Sequence, residues 1–318
     1  MSVLSRPYFR DEQAAFDFVE AIIWPAGPVC PHCGCTENIT AIKPNPEKRV
    51  RFGLKKCRDC KGQFTVRMGT IFEESKLPMT KWLQAIFLMT ASKKGLSAHQ
   101  LHRTLEITYK AAWFLAHRVR EAMRSGELTP FGGNGGAVEA DETFIGHRKG
   151  VPTPKGGIGH KMKVLSLLDR DSGQKRSIVI DNMHVGTIAA VVNANVAKEA
   201  HLMTDEAYHY SQIGKGFAAH GVVKHKADEY VLRENPFVHT NTIEGSFSIF
   251  KRGMRGVYQH CGEQHLHRYL AEFDFRYNYR AALGVDDSQR AMRALEGAIG
   301  KGLTYKRPDE GAEGGAQA

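Results

Sequence analysis

Residues 137–146 read AVEADETFIG, and what the chain builds depends on this stretch. Val138, Thr143, Phe144 and Ile145 favour an extended strand, yet Glu139, Asp141 and Glu142 interrupt it. A lone carboxylate in a buried sheet is costly, so a strand that sets Asp141 on an inner face needs a cation to neutralise it. Two later segments offer partners for that cation. HLMTD, 201–205, is a short apolar run ending on Asp205, as a strand does when its last residue turns into a site. HTNTIEGSFSIFKRGMRG, 239–256, carries Glu244 at the front of a helix whose far end is basic. Two aspartates and a glutamate are hard oxygen donors, suited to Mg²⁺ or Mn²⁺ rather than zinc. Such a set points to metal-dependent phosphoryl transfer.

Strand alternation sorts the neighbouring acids. Glu139 shares a face with Asp141 and can support it, whereas Glu142 and Glu206 point the other way. Asn241 stands close to Glu244 as a rival ligand or a positioning group, and His239 can at most orient a ligand.

The net charge of +10 over 318 residues, with a pI near 9.3, fits an anionic partner such as nucleic acid. No apolar run approaches membrane-spanning length, and MSVLSRPYFRDEQ lacks the apolar centre of a signal peptide. Five of six cysteines fall between Cys30 and Cys60 in paired spacing, which points to metal in a reducing compartment rather than to disulfides. CPHCG at 30–34 and CRDC at 57–60 form a C-x2-C…C-x2-C pattern with 23 residues between the pairs. Cys30, Cys33, Cys57 and Cys60 can close a tetrahedral structural Zn²⁺ site, with RVRFGLKKC and KGQFTVRMGT as ribbon strands. Cys35 rivals Cys33, but one intervening residue makes a poorer knuckle. His32 faces solvent.

Ahead of the ribbon, Phe9, Phe16, Val19 and Ile23 recur at helical spacing. From 78 to 124 the helical period returns in three helices, with Ser97 and Thr108 as N-caps of the second and third. The last two, with Lys110, Arg118 and Arg120 on the final helix, have the layout of a helix-turn-helix DNA reader. SGELTPFGGNGG, 125–136, is a Gly-rich linker. After AVEADETFIG come a basic Gly/Pro loop, two antiparallel strands turning at Asp171–Gly173, a helix at 184–200, HLMTD and a further strand at 221–225. These strands make a mixed five-stranded sheet, so the fold class is α/β. Tyr269, Phe273 and Tyr277 recur every four residues as the core face of a late helix, held by Arg276, Asn278 and Arg280. The expected division is a helix at 1–27, a zinc ribbon at 28–76, a helical DNA-binding region at 77–124, a linker at 125–136, a catalytic domain at 137–285 and a C-terminal segment with a disordered tail at 286–318.

The strings VEADETFIG, HTNTIEGSFSIFKRGMRGVY and HLHRYLAEFDFRYNYR, behind CPHCG…CRDC, resemble bacterial transposases of the insertion-sequence 1595 (ISXO-type) group over about residues 8–285. The strand order with acids on the first and fourth strands and a glutamate on a late helix also resembles the ribonuclease-H-like DDE transposases and retroviral integrases. Some members replace the third acid; this chain has Glu. The resemblance implies a ribonuclease-H-like catalytic domain in which Asp141, Asp205 and Glu244 hold Mg²⁺ or Mn²⁺. It implies cleavage of DNA at terminal inverted repeats, joining of 3′ ends to target DNA and a homo-oligomer on double-stranded DNA in a bacterial cytoplasm, with no membrane partner. Lys251, Arg252 and Arg255, two to three turns beyond Glu244, are then placed for DNA-backbone contact.

Overall fold

The computed structural model describes residues 2–45, 47–126, 129–153 and 157–303, so the expected tail from 307 lies outside the described residues. The elements run α1 (Glu12–Ile23), β1 (Ile39–Ala41), β2 (Lys55–Cys57), β3 (Gln63–Phe64), α2 (Met79–Ala91), α3 (Ala98–Leu105) and α4 (Tyr109–Ala122). There follow β4 (Ala137–Ile145), β5 (Met162–Asp169), β6 (Lys175–Ile180), α5 (Val185–Asn195), β7 (His201–Asp205), α6 (Tyr208–Ile213) and β8 (Ala219–Val223). The chain continues with α7 (Asn241–Gly253), α8 (Leu266–Asn278) and α9 (Asp287–Glu296). Two units result: one of residues up to Ala91, Ala98–Met123 and the segment from Asp287, the other of Ser92–Ser97 and Arg124–Asp286.

In the first unit, Asp11 caps α1 by accepting the Ala14 amide at 2.7 Å, and Phe16, Val19 and Ile23 are buried, as their spacing requires. Strands β1, β2 and β3 form a small antiparallel sheet in that order. Glu12 caps a second helix at long range, accepting the Met79 and Thr80 amides of α2 at 2.6 and 3.1 Å. Thr108 caps α4 by accepting the Ala111 amide at 3.2 Å. Helix α9 packs against α1 and α2 and buries Ala294 and Leu295, although its sequence DSQRAMRALE reads as mostly polar. Leu295→Ala is therefore expected to destabilise the protein by about 2–5 kcal/mol, read from urea unfolding of the full chain. A loss below about 0.5 kcal/mol would show that α9 does not hold this unit together.

In the second unit the sheet order is β6-β5-β4-β7-β8. β4 is antiparallel to β5 and parallel to β7, β5 is antiparallel to β6, and β7 is parallel to β8. Only β5 runs against the rest, the ribonuclease-H-like arrangement. Both faces are covered, which is why β5 is buried over seven successive residues. On one face Val138, Ala140, Leu165, Leu167 and Leu202 pack under Ile188 and Val192 of α5 and Tyr210 of α6. On the other, Ile145, Met162 and Val164 meet Phe250, Leu266 and Phe273 of α7 and α8, and Leu168 meets Ile243 and Phe247. Asn278 clamps β6, accepting the Lys175 amide at 2.6 Å and donating to its carbonyl at 2.9 Å. The 92–97 loop is pinned here too: Tyr258 Oη accepts the Leu96 amide at 3.3 Å and donates to Glu272 at 2.6 Å. Gly95 beside it has φ +102°, and a Cβ there would lie 2.0 Å from Tyr258 Oη, so the position admits only glycine.

Candidate active site and metal centre

β4 and β7 are paired in parallel with Val138 opposite Leu202 and Glu139 opposite Met203. The same register carried two residues further sets Asp141 level with Asp205 on the face turned toward α7. Asp205 ends β7, and its carboxylate accepts the Ala207 amide at 2.9 Å. Glu244 lies in the first turn of α7, where its Oε1 accepts from the Thr240 hydroxyl at 2.8 Å and stands 3.0 Å from His225 Nε2. Burial pushes the Asp141 carboxyl up to about 8, helped by the charges of Glu142, Asp205 and Glu244 and opposed by the Glu142 amide that it accepts at 2.7 Å. Burial also raises Asp205. The three acids expected from the sequence thus share one electrostatic neighbourhood. None of the groups acting most strongly on Asp141 is basic, so a hard divalent cation fits the donor set. The acids do not crowd one another: among the described residues, the only side-chain groups converging to within 4.8 Å as a metal-binding set lie in the ribbon.

Glu139 is on the Asp141 face, as alternation predicts, but its role is to fix α7. It has no exposed surface, accepts from Arg170 Nε at 2.7 Å and accepts the Ile243 amide at 2.8 Å. Arg170 also donates to the His239 carbonyl at 2.7 Å and its Nδ1 at 2.8 Å. Burial and that guanidinium hold His239 below its ordinary range. One buried ion pair therefore ties β4, the β5–β6 turn and the start of α7, one residue before Glu244. Arg170 was not legible as part of the site; the only signal was that a buried Glu139 requires a basic partner. Glu142 does face the other way, onto α6. There it accepts from Tyr210 Oη at 2.6 Å and meets His209 Nε2 at 3.0 Å. Burial, with Glu142 adding, lifts the Tyr210 hydroxyl well above its usual range, so it stays a donor.

In the ribbon, Cys30 Sγ lies 3.6 Å from Cys60 and Cys33 Sγ 3.7 Å from Cys57. All four sulfurs lie within 4.8 Å of one another. A tetrahedron with Zn–S bonds of about 2.3 Å has edges of about 3.8 Å, so the cluster has the dimensions of a structural Zn²⁺ site. The Cys60 and Asp59 amides draw the Cys57 thiol down to about 7 against its burial. Cys35 belongs to a second group, with Cys57 and Asp59, and accepts the Asn38 amide at 3.4 Å. His32 is exposed, as expected.

Two family models match the regions of the chain that hold these residues. Residues 134–278 match the ISXO2-like transposase domain and residues 10–63 the transposase zinc-ribbon domain of the same insertion-sequence 1595 group. The chain belongs to the insertion-sequence 1595 transposase family. It is 26% identical over 292 residues to an uncharacterized protein in transposable element ISH50 of Halobacterium salinarum, covering 84% of this chain and 91% of that one. A simian T-cell lymphotropic virus intasome structure, solved in complex with the PP2A regulatory subunit B56 gamma, matches at TM-score 0.29 and 12% identity over 61% of this chain and 65% of that one. That likeness is too slight to bear on the argument.

The transposase places its basic residues less uniformly than the sequence implied. α7 continues past Lys251 and Arg252 into a π-helical turn, Met254–Tyr258, that carries Arg255. Arg252 and Arg255 are exposed and Lys251 is half-buried. Lys110 is exposed at the start of α4, but Arg118 and Arg120, expected on a DNA-reading face, are 5% and 2% exposed. Arg118 donates to the carbonyls of Ile71 at 2.8 Å and Leu303 at 2.9 Å and lies over the Phe114 ring. Both arginines are corrected to structural roles, because the second half of α4 is buried on every side. No helix among the described residues is long and apolar enough to cross a membrane.

The raised Asp141 carboxyl makes a pH prediction for the metal-free transposase. With its folded value near 8 and an unfolded value of 3.8, the stability that Asp141 supplies is whole below pH 3.8 and is lost as pH rises toward 8. The loss is at most about 1.4 kcal/mol per pH unit. Between pH 6 and 8 in a chelator, Tm should fall more for wild type than for Asp141→Asn, and divalent cations should raise it more at pH 8 than at pH 6. Parallel pH profiles for the two proteins would refute the burial of this charge.

Proposed function

We propose that the transposase cuts DNA at the terminal inverted repeats of its element and joins the freed 3′ ends to target DNA, using divalent cations held by Asp141, Asp205 and Glu244. The observation that carries this reading is the β4–β7 register levelling the two aspartates, with Glu244 close enough to raise the Asp141 carboxyl. Bound Mg²⁺ or Mn²⁺ supplies Lewis-acid charge at the attacking and leaving oxygens of an in-line displacement. The chain's own part is to hold ligands in place. Glu139 and Arg170 fix the start of α7, and Thr240 and His225 set the Glu244 rotamer. Lys251, Arg252 and Arg255 extend from the same helix toward the DNA backbone, where displaced counterions favour binding. The ribbon and α3–α4, with Lys110 at its exposed end, recognise the element ends, and a homo-oligomer brings two ends together.

An endonuclease without strand transfer and a domesticated zinc-ribbon DNA-binding protein would use parts of the same layout. A pure binder has no use for a buried Asp141 that costs stability. The decisive assay incubates the full chain with labelled candidate element ends, Mg²⁺ and a target plasmid. Joined products support the proposal; cut but unjoined ends select the endonuclease, and binding without cutting selects the binder.

A further inference from the structure

Three largely exposed aromatic rings lie on the segments that follow or support the acids. Tyr208 is 73% exposed and opens α6 three residues after Asp205, no more than about 10 Å along the chain. Tyr230 and Phe237, 53% and 51% exposed, lie on the 224–240 arm that joins β8 to α7. With Ile299 these are the most exposed large apolar side chains among the described residues. The arm is not loose: Val231 bridges His239, and Leu232 and Val238 pack into an apolar cluster. Each ring is held by one contact and leaves the remainder to solvent. Tyr230 lies 5.2 Å from the ring of His225, the residue against Glu244. Phe237 lies 5.1 Å from the guanidinium of Arg170, the partner of Glu139. Tyr208 Oη accepts from Gln212 at 3.1 Å.

Surface aromatic rings promote aggregation and are kept few unless they bind something. The charges of the arm exclude a simple phosphate clamp: Lys224, Lys226 and Arg233 are balanced by Asp228, Glu229 and Glu234. What the arm offers is π-faces. Inside a paired duplex both faces of a base are covered by its neighbours, so a protein ring can stack only on a base that has left the stack. We propose that Tyr208, Tyr230 and Phe237 form a stacking subsite for unpaired nucleobases beside the acids, so that the site takes a frayed or single-stranded DNA end in preference to continuous duplex. This rests on the reading of the acids as a DNA-processing site.

The test separates stacking from charge. Full-length protein in Ca²⁺ is titrated with a labelled 20-nucleotide oligothymidine and with an abasic strand of the same length and phosphate count. Wild type should bind oligothymidine at least about tenfold more tightly. Alanine at each of Tyr208, Tyr230 and Phe237 should weaken oligothymidine binding at least about fivefold and leave the abasic strand unchanged. Tyr208→Phe, Tyr230→Phe and Phe237→Tyr should retain the preference. Equal wild-type affinity for the two strands, or alanine variants that lose both alike, overturns the stacking subsite while the DNA reading stands. Failure of wild type to bind any strand or duplex overturns the DNA reading itself.

Discussion

Alanine at Asp141, Asp205 or Glu244 is expected to lower the rate of DNA end cleavage by about 10³-fold or more, with end binding retained. The acids come from two strands and a helix that meet only in the folded sheet, and residues that act as one unit fail together. Double variants should accordingly be no worse than single ones. Ca²⁺ should support assembly but little chemistry, because it accepts looser geometry than near-octahedral Mg²⁺. Strand alternation alone makes Glu142→Ala a neutral control, but the structure does not. That change strips the buried Tyr210 hydroxyl of its acceptor, a loss of about 1–3 kcal/mol. Glu142→Gln, which keeps an acceptor oxygen, is the sound control and should retain activity. An inactive Glu142→Gln beside an active Asp141→Ala would show that β4 carries its site on the other face.

Zinc content should fall from one ion per chain to none in Cys57→Ser, and Cys35→Ser should keep its ion. Four thiolates leave no open position, and structural zinc sites of this kind are worth about 10–16 kcal/mol of apparent binding free energy. The ribbon's own sheet is small, since β1, β2 and β3 are three, three and two residues long, and its apolar cluster around Phe64 includes Cys30 and Cys57 themselves. Protease should then cut the Cys57→Ser ribbon while the sheet of the second unit survives. The Cys35 variant separates the two overlapping groups of candidate ligands. Metal analysis showing zinc retained without Cys57, or lost without Cys35, would reassign the knuckle.

Features carried by local spacing were legible. The paired cysteines, the acids on a β-rich stretch and the aromatic every fourth residue of α8 each state their surroundings within a few positions. Tyr269 and Phe273 are buried accordingly. What could not be read were polar groups whose partners lie far along the chain. Arg118 looked like a surface cation because charges are rarely buried, and the carbonyls that receive it belong to Ile71 and Leu303. Glu12 capping α2 from 67 residues away and Arg170 meeting Glu139 are of the same kind. The Asp141 face was right by alternation, but that the opposite face is roofed by α6 depends on tertiary packing.

The contribution of α9 to the first unit has a consequence for synthesis. A chain emerging from the ribosome at about 5–20 residues per second makes α4 roughly ten to thirty-five seconds before α9. Until then α1 and α2 lack the helix that covers them, so a nascent or prematurely terminated chain cannot complete the unit that includes the ribbon and α3–α4. Truncated products of a damaged gene would therefore reach the cell without a finished front unit, exposed to proteolysis before the full-length protein is.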